Sequence, residues 1–480
     1  MSNYIFSDDL QGKVVLEKGK VYELSDTIEL SKPTHLDGQG AILNIGSMTG
    51  IHITSSDVRI ENLTINGAQI SVYVENTSGV LENINIENCK FQEYHIAGVM
   101  GGASESDCLS KDITIKNCAF YSAKQKKDGV SCNDIMFAAA IAGNNVENGI
   151  LDGFNIQNCK LCGQSVCNIF MLPGISMNQS TDISFTNCII RNILIDGCTL
   201  TGAYDTSIAI QANLINNMNC GAENVVVKNC TTDIGITGIS ASSGSPLKGD
   251  CHGSYFKGFK CIGNTIFGSD RVGEEMSAIN ISAGEIDYYS DARCYDSYIC
   301  DVEIRDNYIH DCERGINIHA VYSIIDAEES GHLEGNYVEN VVVENNRLKD
   351  VDTCFMLLGA WIDGRRLDWH LGNEKKTQFW LPRFENHEKT SFVAKDNYVR
   401  NLRCENNMCD GYKVCVLASG AFARGNSVMT GNRIDENIIF QNNTFINGED
   451  HIKVADTILE DWVRDGGGNK VSDAFRDFKW

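Results

Sequence analysis

A short pattern of alternating apolar residues followed by asparagine recurs along most of the chain, and it limits what the chain can fold into. The copies are ENINIENCKF at 82–91, KDITIKNCAF at 111–120, GFNIQNCKL at 153–161, DISFTNCII at 182–190, ENVVVKNCTT at 223–232, DVEIRDNYI at 301–309, ENVVVENNRL at 339–348 and ENIIFQNNTF at 436–445. Alternation with a period of two predicts a β-strand, and asparagine tolerates the left-handed backbone of a tight turn. The chain therefore consists of many short strands that end in similar turns.

A second alternating run follows each asparagine turn. The runs are HIAGVMGG (95–102), DIMFAAAIAG (134–143), NIFMLPG (168–174), SIAIQAN (207–213), GITGISAS (235–242), SAINISAGE (277–285), GINIHAV (315–321), TCFMLLGAW (353–361), KVCVLASG (413–420) and HIKVAD (451–456). The interval from Asn345 to Cys354 equals that from Asn406 to Cys415. The asparagines themselves recur at variable intervals, 29 residues from Asn88 to Asn117. These spacings predict a solenoid with one strand of each kind per coil and loops of variable length.

The chain resembles the right-handed parallel β-helices of the pectate-lyase-like superfamily. Besides the coils, the likeness includes the opening VVLEKGKVYELSDTIELSKPTHLDGQGAILNIG, which leads into GIHITSSDVRIENLTINGA at 50–68, and it covers about residues 12–458. It implies an all-β, single-domain right-handed parallel β-helix of about ten or more coils with long loop insertions. Ladders of Asn or Cys are expected to line its turns. The polygalacturonase-like series NTD, DD, GHG and RIK is missing, so no specific family is identified.

Three segments follow from this organisation. Residues 1–49 are predicted as an N-terminal cap with entry strands, 50–455 as the β-helix, and 456–480 as a C-terminal cap over the last coil. The segment 357–390 is predicted as a loop insertion that could overhang a groove, contact another subunit or pack on itself. A homo-oligomer, trimer or dimer, is an open alternative.

The number of cysteines bears on the cellular compartment in which the protein is expected. The chain has 20 of them, and its first residues show no basic stretch followed by an apolar one. We therefore expect a cytoplasmic protein with reduced thiols rather than a disulfide framework. The recurring Asn-Cys pairs indicate buried packing at the turns. The string Cys159, Cys162 and Cys167 could bind a metal or simply pack, and since no further ligand lies nearby in sequence, we predict no metal and no cofactor.

The net charge of the chain limits the classes of molecule that it can bind. The net charge of −24 argues against nucleic acid, whose phosphates require clustered Lys and Arg. The sequence contains no apolar run of about 18 residues, so it predicts no membrane span. An acidic surface also repels polyanions unless the groove is locally positive. An oligosaccharide or polysaccharide is the expected partner, because proteins of this superfamily usually bind sugars on the outer face of one stacked sheet.

The second series of strands is the better candidate for that face, because its outward positions are polar. If Ile316 and Ile318 point inward, Asn317 and His319 point outward, and Asn280 does so on the preceding coil. The predicted substrate-binding residues are Gln211, Asn213, Asn280, Asn317, Arg314, Trp361, Asp363 and Arg365. A merely solvated sheet face is the alternative.

Residues 270–322 hold the densest set of acidic, basic and aromatic side chains. Glycoside hydrolysis needs two carboxyl groups, one acting as acid and the other as base or nucleophile. We predict Glu285 and Asp287 as this pair, with His319 as an acid, a base or a substrate ligand. An acidic surface loop is the competing interpretation.

Three functions follow as hypotheses. The first is a glycoside hydrolase or glycosyl-transferring enzyme with paired carboxylates. The second is a polysaccharide lyase or uronate epimerase, in which Arg314, His319 or a tyrosine would neutralise a carboxylate or abstract a proton. The third is a non-catalytic glycan-binding β-helix. The charge favours the first, because a lyase must bind polyanions.

Overall fold

The computed structural model describes most of the chain. The described residues are 10–46, 49–95, 97–122, 137–142, 145–162, 167–172, 184–202, 206–211, 217–235, 237–244, 249–268, 277–287, 292–324, 331–363, 392–424, 427–435, 437–459 and 463–473. Their strands all pair in parallel with the equivalent strands of neighbouring coils and form four stacks, named sheets 1 to 4. This confirms the predicted all-β, right-handed parallel β-helix.

The strands are distributed over the four sheets as follows. Sheet 1 contains Gly12–Val15, Thr34–Ile45, Val58–Asn66, Val80–Glu87, Leu109–Lys116, Ile150–Gln157, Ile189–Asp196, Gly221–Lys228, Tyr255–Ile262, Tyr298–Arg305, Tyr337–Glu344, Tyr398–Glu405, Arg433–Ile434, Ile438–Gln441 and Lys470–Val471. Sheet 2 contains Val21–Leu24, Lys90–Tyr94, Ala119–Ser122, Lys160–Cys162, Thr199–Thr201, Thr231–Asp233, Thr265–Phe267, Met408–Asp410 and Thr444–Ile446. Sheet 3 contains Ile28–Leu30, Thr49–Ile53, Ile70–Asn76, Ala97–Ala103, Phe137–Ala142, Cys167–Leu172, Thr206–Gln211, Thr237–Gly244, Ser277–Asp287, Tyr308–Ile324, Arg347–Asp363, Val414–Arg424 and Asp450–Leu459. Sheet 4 contains Asn145–Glu147, Ser184–Thr186, Asn217–Met218, Asp250–His252, Arg293–Tyr295, Gly331–Glu334, Phe392–Lys395, Ser427–Thr430 and Val463–Gly467.

Several strands run around a corner from one sheet into the next. Tyr308–Ile324 and Arg347–Asp363 begin in sheet 2 and continue through sheet 3. Parallel pairing already starts at Gly12–Val15 and continues to Lys470–Val471, so coils extend into both segments predicted as caps. Within the described residues, no helix is long and apolar enough to cross a membrane.

The core follows directly from the alternation of the sequence. In sheet 1, Ile113 pairs with Ile84 on one side and Phe154 on the other, and all three side chains are buried. Each coil thus stacks its apolar residues on identical positions of two neighbours, which supplies the burial that no coil achieves alone. The predicted turns are also confirmed, because asparagines such as Asn117 and Asn158 have φ values of 54° and 51°.

The residue at the turn from sheet 1 into sheet 2 forms an internal ladder of two kinds. From Cys89 to Cys230 the buried rungs are thiols, as in the contact from the Cys89 backbone N–H to the Cys118 Sγ at 3.4 Å. From Asn264 onward they are amides, and Nδ2 of Asn264 donates to Oδ1 of Asn307 at 3.0 Å. Further amide rungs are Asn346, Asn407 and Asn443. The cysteines whose side chains the structure describes are free thiols, and all of these but Cys162 are buried.

Candidate functional site

The outer face of sheet 3 carries the polar rows that the sequence predicts. The side chains of Ile279 and Ile281, and of Ile316 and Ile318, belong to the main core. Between them, Asn280 pairs in register with Asn317, and Ser282 pairs with His319. These four polar residues therefore lie on the opposite face of the sheet, and the predicted alternation is confirmed.

The exposure of these rows differs from the expected open groove. His319 and Asn317 are both 0% exposed, and Asn280 is 7% exposed. The indole ring of Trp361 lies edge-on to the His319 imidazole, with 5.2 Å between ring centroids. The phenol ring of Tyr322 lies 5.9 Å from the same imidazole. Aromatic rings from the far end of the strands thus fold over the polar rows and remove them from solvent.

His319 is held as a neutral imidazole. Its Nε2 lies 2.8 Å from Oδ1 of Asn280, and because that oxygen only accepts, Nε2 carries the proton. Nδ1 is left as a buried acceptor without a partner. Burial, followed by the charge of Arg314, lowers the pKa of His319 to about 3. A neutral imidazole with a free acceptor can bind a hydroxyl group, but it cannot serve as a protonated acid near neutral pH.

Two further buried groups beside His319 have unused hydrogen-bonding capacity. Asn317 donates from Nδ2 to the Ser277 hydroxyl at 2.9 Å, while its Oδ1 has no partner. The indole N–H of Trp361 also lacks an acceptor. Buried polar groups normally find partners, so these two acceptors and one donor are the atoms on this face with hydrogen-bonding capacity left for a hydroxyl group or water.

Arg314 brings a positive charge onto the same face. Its side chain is only 9% exposed, and the guanidinium lies 4.5 Å from the centre of the Trp361 ring. This cation–π contact stabilises the indole ring in its position over the polar rows. Glu313 provides a longer ion pair, at 3.8 Å.

The predicted carboxylates lie at the carboxyl ends of these strands. Glu285 is 5% exposed and pairs in register with Tyr322. The backbone positions of Asp287 and Asp363 fall in one row, separated by Ile324 on the intervening strand. With strands about 4.8 Å apart, this places the two aspartate positions about 10 Å from each other along the stack. The side chains of Asp287 and Asp363 lie outside the described part of the molecule.

The other predicted binding residues are dispersed. Gln211 ends its strand and is partly exposed. It belongs to the row of His319 but lies three coils earlier, separated from it by Ser242 and Ser282. Asn213 and Arg365 lie outside the described residues. Trp361 was expected in a loop insertion starting at 357. That boundary is wrong, because the strand Arg347–Asp363 continues in register with its neighbours as far as Asp363.

Sequence reasoning missed Tyr322, Ser277 and Phe422 on this face. The rings of Tyr322, Trp361 and Phe422 lie in one row on successive strands, with 4.7 Å between the first two ring centroids, which are tilted, and 6.2 Å between the last two, which are T-shaped. They form a separate apolar cluster with Met356 and Leu358. The sequence did contain a signal for this cluster, because the three aromatic residues occupy the same register position on successive coils. Among the described residues, the only group of three potential metal-ligating side chains in mutual reach is Cys354, Cys409 and Cys415.

The family-model comparison agrees with the β-helix architecture. The family model described as right handed beta helix region matches residues 49–248. PfbA, a surface adhesin of Streptococcus pneumoniae, is 11% identical with a TM-score of 0.28, covering 84% of this chain and 83% of its own. The A-module of the Azotobacter vinelandii mannuronan C-5 epimerase AlgE6 is 10% identical with a TM-score of 0.17, covering 89% and 90%. These likenesses bear on neither activity nor substrate. No curated protein matches the chain.

Proposed function

For a chain that folds as a right-handed parallel β-helix, we propose a carbohydrate-active enzyme that hydrolyses or transfers a glycosidic bond of an oligosaccharide or polysaccharide. The observation that carries this proposal is the set of unused hydrogen-bonding atoms beneath the aromatic rings of sheet 3, namely Nδ1 of His319, Oδ1 of Asn317 and Nε1 of Trp361. Sugars offer many hydroxyl groups that both donate and accept, and their C–H faces suit aromatic walls.

The carboxylates supply the chemistry in this proposal. Glycosidases place one carboxyl group to protonate the leaving oxygen and a second to activate water or attack the sugar. Glu285, buried beside Tyr322, is assigned as the acid, and Asp287, two residues further along the strand, as the second carboxyl group. Asp363 occupies the same row as Asp287 and is the alternative partner. His319 and Asn317 are assigned to hold substrate hydroxyls, which requires the Tyr322 and Trp361 rings that cover them to move aside.

The test is substitution of each carboxylate. Glu285→Gln and Asp287→Asn are assayed on neutral glycans by the release of new reducing ends or of transfer products. Each is expected to lower kcat by about 10²–10⁴-fold, the usual range for losing an acid–base group. Glu339→Gln is the matched control, because Glu339 lies on the outer face of sheet 1, where it pairs with Arg400. Full activity in both site variants would exclude this pair.

A uronate-directed lyase or epimerase is the second candidate, and Arg314 favours it. A buried guanidinium against an indole ring is suited to pairing with a substrate carboxylate. The low pKa of His319 makes it a weak base for proton abstraction, which disfavours this candidate. Ultraviolet absorbance from a new double bond, or inversion at C5 seen by NMR, on uronate polymers would establish it. Glycan binding without turnover would establish a non-catalytic role.

A further inference from the structure

Three cysteine thiols meet inside the corner between sheets 2 and 3. Cys354 and Cys415 occupy equivalent positions on successive strands, because their neighbours Phe355 and Val416 pair in register. Cys409 comes from the sheet 2 strand Met408–Asp410 and faces the same interior. The three Sγ atoms all lie within 4.8 Å of one another, and each residue is at most 1% exposed.

This triangle differs from the thiol ladder of the earlier coils. In that ladder each coil contributes one cysteine, as in Cys89, Cys118 and Cys159, and strands are about 4.8 Å apart. The outer two of any three rungs are thus about twice that distance apart, so a ladder brings thiols together only in pairs. Cys409 breaks this geometry because it approaches the pair Cys354 and Cys415 from the adjoining sheet. Ladder packing therefore does not account for the triangle.

We propose that Cys354, Cys409 and Cys415 form a three-thiolate site for a soft monovalent metal ion, Cu⁺. Metal–sulfur bonds of about 2.3 Å, the length in zinc thiolates, place the sulfurs of a planar three-coordinate site about 4 Å apart. The observed triangle needs only a small contraction to reach that spacing. Thiolates are soft ligands and select Cu⁺ over harder ions.

The number of sulfur donors favours Cu⁺ over Zn²⁺. Structural zinc takes four ligands, and the described residues offer no fourth ligand within the group. The nearby Cys404 thiol already accepts a hydrogen bond from Nδ2 of Asn407 at 3.3 Å. Three-coordinate Cu⁺ fits three sulfur donors without water.

Loading is coordination without redox change. Each new Cu–S bond replaces an S–H bond, and the proton leaves to solvent. Thiolate coordination therefore releases one proton for each of the three sulfurs. Because all three residues are enclosed by the coils, we expect loading while the chain folds rather than afterwards.

The experiment uses the full chain produced in copper-supplemented cells and purified without oxygen in the presence of a competing Cu⁺ chelator. About one Cu⁺ per chain is expected to remain, with an X-ray absorption spectrum that shows only sulfur neighbours. Cys409→Ala removes the third ligand and leaves the ladder pair, and it is expected to lose at least ten-fold in retained copper. Cys118→Ala, in the linear ladder, is the matched control and is expected to retain copper fully.

The outcomes separate clearly. Equal copper retention in Cys409→Ala and the wild type overturns the site, as does loss of copper from the wild type to the chelator. Retention of zinc in place of copper, with the same dependence on Cys409, overturns the assignment to a monovalent ion. If Cys409→Ala does not fold, Cys415→Ala replaces it. The wild-type absorption spectrum decides independently, because oxygen or nitrogen neighbours contradict a site of three sulfurs.

Discussion

The outer face of sheet 3 has a polar half and an apolar half on one continuous backbone register. In the strands Ser277–Asp287 and Tyr308–Ile324 the two central rows are Asn280 and Asn317, and Ser282 and His319. In Arg347–Asp363 and Val414–Arg424 the same rows continue as Met356 and Leu417, and Leu358 and Ser419. Backbone pairing is identical across the boundary, so the side chains alone decide where the face packs and where it presents hydrogen-bonding groups.

The largest effect is expected at Trp361, where the two halves meet. Its ring contacts His319, Tyr322 and Phe422 and is 2% exposed. Trp361→Ala is expected to lower the free energy of unfolding by about 3–5 kcal/mol, since it leaves a large cavity. Urea denaturation measures this. Ile439→Ala is the control, because that side chain is 44% exposed and its loss costs about 0.5 kcal/mol or less. A Trp361 loss as small as the control contradicts the packing described.

The second-largest effect is on the pH dependence of stability, and it is expected only from the polar half. The pKa of His319 is about 3 in the folded protein, below the ordinary value of 6.5. As pH falls below about 6.5, the unfolded chain takes up a proton that the folded chain refuses, so stability falls. Compared with His319→Leu, the wild type is expected to lose about 2 kcal/mol more between about pH 6.5 and about pH 5. Denaturant unfolding of both proteins across this range tests it, and parallel curves contradict a neutral, buried His319.

A double-variant cycle tests whether the polar half can be converted into the apolar one. His319→Leu introduces the residue type of the next coil but leaves the Asn280 Oδ1 without its donor. It is expected to cost about 1–3 kcal/mol, the penalty for a buried unpaired polar group. Adding Asn280→Leu removes both partners and is expected to recover part of that loss. Additive losses in urea unfolding contradict a direct interaction.

The smallest effect compares two serines in equivalent rows. Ser282 donates to the Gly284 carbonyl at 2.9 Å, and Ser419 donates to the Ala421 carbonyl at 2.8 Å. Each serine-to-alanine change is expected to cost about 1 kcal/mol of stability. Only Ser282→Ala is expected to alter KM on a responsive glycan, because only Ser282 lies beside His319. Equal changes in KM would remove the functional distinction between the halves.

The fold was predictable because its signal is periodic. Alternation gave the inward positions of Ile316 and Ile318, and the turn asparagines gave the coil boundaries. Burial of the polar rows was not predictable, because it depends on the strand continuing to Asp363 and carrying the Trp361 ring over His319. The alternation of apolar and polar residues does not show where a strand turns the corner from one sheet into the next. The thiol triangle escaped for the same reason, since Cys409 reaches Cys354 across a corner.

The asparagine ladder gives the β-helix a net dipole along its axis. Each amide from Asn264 to Asn407 donates to the Oδ1 of the next rung, so all these side-chain carbonyls point toward the N-terminal end. Their dipoles add rather than cancel, as the peptide dipoles of an α-helix do. The two ends of the stack are therefore unequal. A break on the C-terminal side of a rung leaves buried donors without acceptors, whereas a break on the N-terminal side leaves an acceptor oxygen.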